Sequence, residues 1–286
     1  MYFDEDMVLD LRLNLLDKHV KKFVITESTY LHSGNKKKLN FDYKNFLKFK
    51  DKIEYIVIDQ PPEDLRIISK NDSQEVKNSK MLDNSLKREN HQRDSLVKGL
   101  KDAYEEDLIF VSDVDEIPNL RSFKYKNKIS LFVQKMFYYK FNLQQPNFTW
   151  LGSRACKKKY LKSCQWLRNI KGKSYPFWRL DTFLSNKKYM NIDFIEDGGW
   201  HFTCIKNPKD LHYKLSNFLH HVEYEESGLK VNEVENLVNQ KKILYDHKAD
   251  MRAKKYTGGS NLQKVSFEVL PEYIALNLDK YKEWLD

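Results

Sequence analysis

The stretch Ser112-Asp113-Val114-Asp115-Glu116-Ile117-Pro118 sets three carboxylates directly behind the apolar run Leu108-Ile109-Phe110-Val111. Such a run, closed by acids, reads as a buried strand that ends at a polar edge. In extended backbone, residues two apart point the same way, so Asp113 and Asp115 can turn their oxygens toward one ion. Hard carboxylate oxygens suit Mg²⁺ or Mn²⁺. A solvated turn uses the same residue types, but the carboxyl end of a strand in an open α/β sheet is where ligands bind. Ahead of the strand, Glu89 to Gly99 reads as a polar-faced helix that would bring Arg88 and Arg93 beside the acids, within reach of a phosphate. Taken singly, each arginine also reads as a surface ion pair with neighbours such as Glu89 and Asp94.

These residues need a frame. Residues 3–18 carry leucines and valine at amphipathic helical spacing. Phe23 to Glu27 and Ile53 to Ile58 read as strands, with a short helix over 43–50 between them. Residues 63–80 are polar and aperiodic and read as a loop; 81–104 reads as a helix, and 107–113 as the third strand. This alternation predicts an α/β protein whose sheet is mixed and mostly parallel, flanked by helices. Further strands are expected at 129–141, 148–155, 177–184, 191–196 and 200–205. Helices are expected at 208–221, 231–247 and 271–284, the last opened by Pro271. No linker or repeat divides the chain. One domain is expected over 1–286, with a nucleotide-binding half (1–118), an acceptor-side half (119–207) and a helical C-terminal portion (208–286).

Composition narrows the classes. The 286 residues are 41% apolar and 14% aromatic, with 9 Gly and 7 Pro, which supports a sizeable core and excludes collagen-like or linker-rich chains. No run approaches the roughly 18–20 apolar residues of a membrane span. The formal charge of +9 suggests anionic partners. The basic runs are short and interrupted by acids, so a solvated lysine surface is favoured over a nucleic-acid stripe. Cys156, Cys164 and Cys204 lack zinc-type spacing and read as free thiols, or as one disulfide plus a spare thiol.

The order of segments "FDEDMVLDLRLNLL", "VKKFVITESTYLHSGNKKKLNF", "RENHQRDSLVKGL…DLIFVSDVDEIP", "GGWHF" and "LPEYIALN" resembles glycosyltransferase family 17 over roughly residues 2–280. Its best-known members are β-1,4-mannosyl-glycoprotein β-1,4-N-acetylglucosaminyltransferases. The resemblance implies a GT-A fold, a nucleotide-sugar donor, inversion at the anomeric carbon and a divalent metal on the Asp-x-Asp motif. Carried over by position, Asp115 is the metal ligand and Asp113 serves the ribose or a metal-bound water. Glu116 stands behind them, and His201 completes the metal site. Glu27 and Arg93 fall where such folds contact the nucleotide. Gly198 and Gly199 would let backbone approach a ligand.

An inverting displacement needs one carboxylate to take the acceptor proton. Asp197, or else Glu196, is the expected base, although a turn aspartate before two glycines reads equally well. Trp200 and Trp150 are candidates for the acceptor side. Lys254 and Lys255, in a segment with lid-like composition, are candidates for the donor diphosphate. The expected reaction moves a sugar, GlcNAc from UDP-GlcNAc, to a glycan or glycoprotein hydroxyl with Mn²⁺ or Mg²⁺. Two rival classes stand beside it: a metal-dependent phosphohydrolase or nuclease that uses the same carboxylates, and a non-catalytic basic binding protein that would hold nucleic acid and be indifferent to Asp115→Ala. Golgi members of the family carry an N-terminal anchor. None is read here, so a soluble, cytoplasmic chain is expected.

Overall fold

The computed structural model describes residues 1–176, 178–246, 256 and 259–286. In chain order the elements are α1 (Asp6–Leu16), β1 (Phe23–Ser28), β2 (Ile53–Ile58), α2 (Gln74–Asp94), β3 (Leu108–Val111), β4 (Glu116–Pro118), β5 (Ile129–Tyr138), β6 (Leu143–Lys157), α3 (Cys164–Asn169), α4 (Asp181–Leu184), β7 (Ile192–Ile195), β8 (Gly199–Thr203), α5 (Pro208–Leu215), α6 (His221–Ser227), α7 (Val231–Asn239), β9 (Gln263–Lys264), α8 (Glu272–Leu276) and α9 (Leu278–Tyr281). The fold is mixed α/β with helices around the sheets, as expected.

Strands β1 and β2 pair in parallel; a second, mixed sheet runs β3-β6-β5-β8-β4, with β7 beside β5 and β9 beside β6. Within it β5 is parallel to β7 and β8 and antiparallel to β6, while β4 is antiparallel to β8. The last register matters most for the site. It sets Glu116 opposite His201 and Ile117 opposite Trp200. The acidic turn and the late histidine, far apart in sequence, therefore meet across one strand pair.

Among the described residues, three apolar clusters hold this frame. One gathers α1, β1, Ile117, Phe137, Phe202 and Ile274. A second lies under the C-terminal helices around Tyr138, Tyr224 and Ile243, and a third joins β3 and β5 to α3. Leu11 and Leu13 of α1 are fully buried, each contributing about 1.5–3 kcal/mol.

Several element boundaries differ from the sequence reading. The loop expected over 63–80 gives way to α2 at Gln74, because the Ser73 hydroxyl accepts the Val76 N–H and caps the helix. Apolar periodicity is a poor guide to this helix, which buries mainly polar residues such as Asn84, Ser85 and Gln92. Of the strand expected at 177–184, residues 178–184 are instead a turn leading into α4, tied by Arg179 to Asp181 and by the Thr182 hydroxyl to the Arg179 carbonyl, and 177 lies outside the described residues. The helix expected over 208–221 stops at Leu215 and restarts as α6. The one expected over 271–284 breaks at Asn277, where φ is −132°. Among the described residues no helix is long and apolar enough to cross a membrane. All three cysteines are unpaired.

Candidate active site

Beyond the carboxyl ends of β1 and β3 lies a cavity of about 280 Å³. Its walls include Ser28 at the end of β1 and His32 after it, Glu89 and Gln92 of α2, the acidic turn 113–116, Trp150, His201 and Lys214. This is the location at which an open α/β sheet binds ligands.

The acidic turn is built from behind by three arginines. Arg12 sits between the buried Leu11 and Leu13, and its guanidinium donates to the carbonyls of Asp113 (3.3 Å) and Glu116 (2.5 Å). Burial pushes its pKa down to about 10, although Glu116 and Asp113 pull the other way, so it remains charged. Arg168 of α3 spans both oxygens of Glu116 at 2.8 Å and also reaches Asp113 at 3.1 Å. Arg93 binds Asp113 at 3.1 Å and Glu89 at 2.8 Å. Glu116 further accepts from the Trp150 indole at 2.7 Å and from the Asp113 N–H at 3.0 Å. Burial would raise the Asp113 pKa, but Arg93 and Arg168 outweigh it and hold the carboxyl well below its usual range. Asp113 is thereby ionised, and the contacts to Arg168 fix both carboxylates in direction.

Asp115 is differently placed. Its carbonyl accepts the Phe202 N–H at 2.9 Å, which fastens the turn to β8, and its carboxylate lies 3.5 Å from His201 Nε2. Burial, the largest influence on His201, pushes its pKa down. Asp115 foremost, with Glu116 and Asp113, overcomes this and leaves the pKa raised. His201 Nδ1 is buried with no hydrogen-bond partner among the described residues. Asp115 and His201 are thus two adjacent donors without strong internal commitments. No three His, Cys, Asp or Glu side chains among the described residues form a complete ion-holding group. A pair of this kind suits Mg²⁺ or Mn²⁺, which keeps waters and shares substrate phosphate oxygens.

The sequence-derived candidates divide accordingly. Asp113, Asp115, Glu116, Trp150 and His201 come together on the cavity, and Arg93 stands behind it. Glu27 does not reach it. That carboxylate is wholly buried and accepts from Lys37, the Asn40 and Phe41 N–H groups (2.8 and 3.1 Å) and the Tyr55 hydroxyl (2.8 Å). It lies at the end of β1 and pins the 36–41 loop, while the next residue, Ser28, lines the cavity.

Glu196 and Asp197 are also not brought to the cavity. Asp197 is a left-handed turn residue (φ 48°), its side chain 82% exposed and paired with Lys135 at 3.2 Å. It lines a separate pocket of about 240 Å³ with Trp200 and Arg121. Alternation along β8 sends Trp200 to the face opposite His201, where its indole donates to the Val269 carbonyl at 2.8 Å. Gly198 and Gly199 serve strand packing instead of ligand approach: a Cβ would meet the Ile195 carbonyl at 2.6 Å and the Ile117 carbonyl at 2.1 Å, respectively. Lys254 and Lys255 lie outside the described residues.

Arg12, Arg168, Lys214 and Glu5 are functional candidates that the motif reading passes over. Arg12 carried a signal, since a lone cation between two core leucines requires buried acceptors. Arg168 carried none.

The fold is that of an α/β protein whose cavity, at the carboxyl ends of β1 and β3, brings an acidic strand end and a histidine together, the position at which such enzymes bind their ligands. The family model for glycosyltransferase family 17 matches residues 1–285, and the chain belongs to that family and is a glycosyltransferase. Compared with curated proteins and with solved structures, it matches none.

Proposed function

We propose that this glycosyltransferase is a GT-A-type, inverting, metal-dependent enzyme that moves GlcNAc from UDP-GlcNAc to a hydroxyl of a glycan acceptor. The observation that carries this reading is the pairing of Asp115 with His201 on a cavity beyond the ends of β1 and β3. Asp115 and His201 would hold Mn²⁺ or Mg²⁺. When bound, the ion supplies positive charge to the departing diphosphate. Asp113, fixed by Arg93 and Arg168, presents an ionised carboxylate to a ribose hydroxyl. Trp150, tied to Glu116, offers an aromatic wall 5.4 Å from the His201 ring, suited to a sugar face.

An inverting transfer is one in-line displacement and needs one proton acceptor. Outside the acidic turn, the carboxylates lining the cavity are Glu5 and Glu89. These replace Glu196 and Asp197 as candidates for the base.

The test is product analysis with a panel of nucleotide-sugars and oligosaccharide acceptors. Mn²⁺-dependent transfer from UDP-GlcNAc with a β-linked product, read by NMR, is expected. An α-linked product, turnover indifferent to EDTA, or release of free sugar in place of transfer contradicts the proposal.

A further inference from the structure

The cavity is lined by five carboxylates, from Glu5, Glu89, Asp113, Asp115 and Glu116. The three arginines that offset the acidic turn lie behind it and do not face the cavity. Among the described residues, the lysines or arginines that line it are Lys37 and Lys214. A diphosphate entering this space needs a cation that can turn toward it.

The two lysines differ in what they would leave behind. Lys37 pairs with Glu27, and both side chains are almost wholly buried. Withdrawing Lys37 would leave the Glu27 carboxylate its Asn40, Phe41 and Tyr55 donors but take away its one ion-pair partner among the described residues, at a wholly buried position. Lys214, on α5, pairs with Glu5 Oε1 at 2.8 Å. The other oxygen of Glu5 accepts the N–H groups of Phe3 at 3.0 Å and Asp4 at 3.2 Å. Lys206, on Asp4 at 2.5 Å, lies close enough to help keep Glu5 ionised. Glu5 therefore retains two donors and a neighbouring cation when Lys214 moves. Burial pushes the Lys214 amine down, but Glu5 and Asp115 outweigh it and keep it charged.

We infer that Lys214 is a diphosphate-binding residue of the donor site, held ready by Glu5 and exchanged from that carboxylate to the β- or α-phosphate when the donor enters. This rests on the reading that the cavity takes a nucleoside diphosphate. The recognised chemistry is a pyrophosphate dianion or trianion met by a flexible ammonium.

Calorimetric titration of inorganic pyrophosphate and of UDP into the full chain with Mn²⁺ tests this. Lys214→Met should weaken both ligands at least tenfold, and Lys214→Arg should restore most of the loss. Glu5→Gln should bind at least as tightly as the wild type, because the ammonium is then freed. If Lys214 served only to hold the N-terminal segment through Glu5, Glu5→Gln and Lys214→Met would lose affinity alike, which overturns the inference. Binding by Lys214→Met within twofold of wild type also overturns it, while leaving the donor-site reading intact. Absence of pyrophosphate and UDP binding by the wild type overturns both.

Discussion

Arg168 grips both carboxylate oxygens of Glu116 at 2.8 Å across 52 residues of sequence, and the same guanidinium reaches Asp113 at 3.1 Å. Glu116 is only 1% exposed, so this pair is enclosed. Removing one partner strands the other charge, which costs about 3–5 kcal/mol in comparable buried pairs. Arg168→Met should lose stability of that order in urea denaturation and should also lose nucleotide binding as the turn relaxes. Arg168→Lys cannot reproduce the two-pronged contact and should fall between the two. A stable, fully active Arg168→Met contradicts the clamp.

Glu27 makes a contrasting prediction. Its four donors are internal, and none of its oxygens lines the cavity. Glu27→Gln should destabilise the protein by about 1.5–3 kcal/mol, the range for a hydrogen bond to a charged group. Once folded, it should keep its affinity for UDP within about threefold. A large loss of affinity without a loss of stability would put Glu27 in the donor site after all.

Asp197→Asn should leave kcat within about threefold of wild type, because its carboxylate is exposed on the separate pocket of Trp200 and Arg121. The same substitution at Glu5 or at Glu89 should lower kcat at least a hundredfold at whichever residue takes the proton. Steady-state rates on the four proteins decide between them.

Glu5 also sets a pH dependence. Burial alone would raise its pKa, but Lys214 and Lys206 bring it down to about 2 from an ordinary 4.5. A depressed carboxylate stabilises the fold above its unfolded pKa and loses that contribution as pH falls through the folded one. At 1.36 kcal/mol per unit, the contribution is about 3 kcal/mol at neutral pH. The stability gap between wild type and Glu5→Gln should be widest above pH 5 and should close between about 4.5 and 2. Asp4, whose carboxyl is raised by burial and by Glu5, loses the Glu5 part of that shift in Glu5→Gln, which stabilises the variant and narrows the gap at neutral pH without changing its direction. A gap that widens on acidification contradicts the pairing.

Much of this site was legible as sequence because its parts sit at the ends of strongly patterned elements. β1, β2 and β3 are short apolar runs, and Asp113 and Asp115 follow directly from the last. His201 was placed by resemblance, and its contact with Asp115 depends on the β4–β8 register, which no local pattern announces. Arg168 lies in a short helix whose Cys164, Trp166 and Leu167 pack into the core, and nothing in that pattern marks the arginine. Asp197 reads as a base from sequence, yet a turn aspartate before two glycines reads alike whether the glycines face a ligand or, as here, neighbouring strands. α2 was cut short because a helix that buries Asn, Ser, Gln and Arg has no apolar stripe to follow.

We propose above all that the Asp115–His201 cavity is a metal-assisted nucleotide-sugar site. The most direct measurement is thermal stability of wild type and Asp115→Asn with UDP and UDP-GlcNAc, in Mn²⁺ and in EDTA. A ligand at 100 times its Kd adds about 2.7 kcal/mol. The account predicts a Mn²⁺-dependent rise in Tm for the wild type that Asp115→Asn loses. An equal rise in both proteins, or in EDTA as in Mn²⁺, or none with either nucleotide, contradicts it.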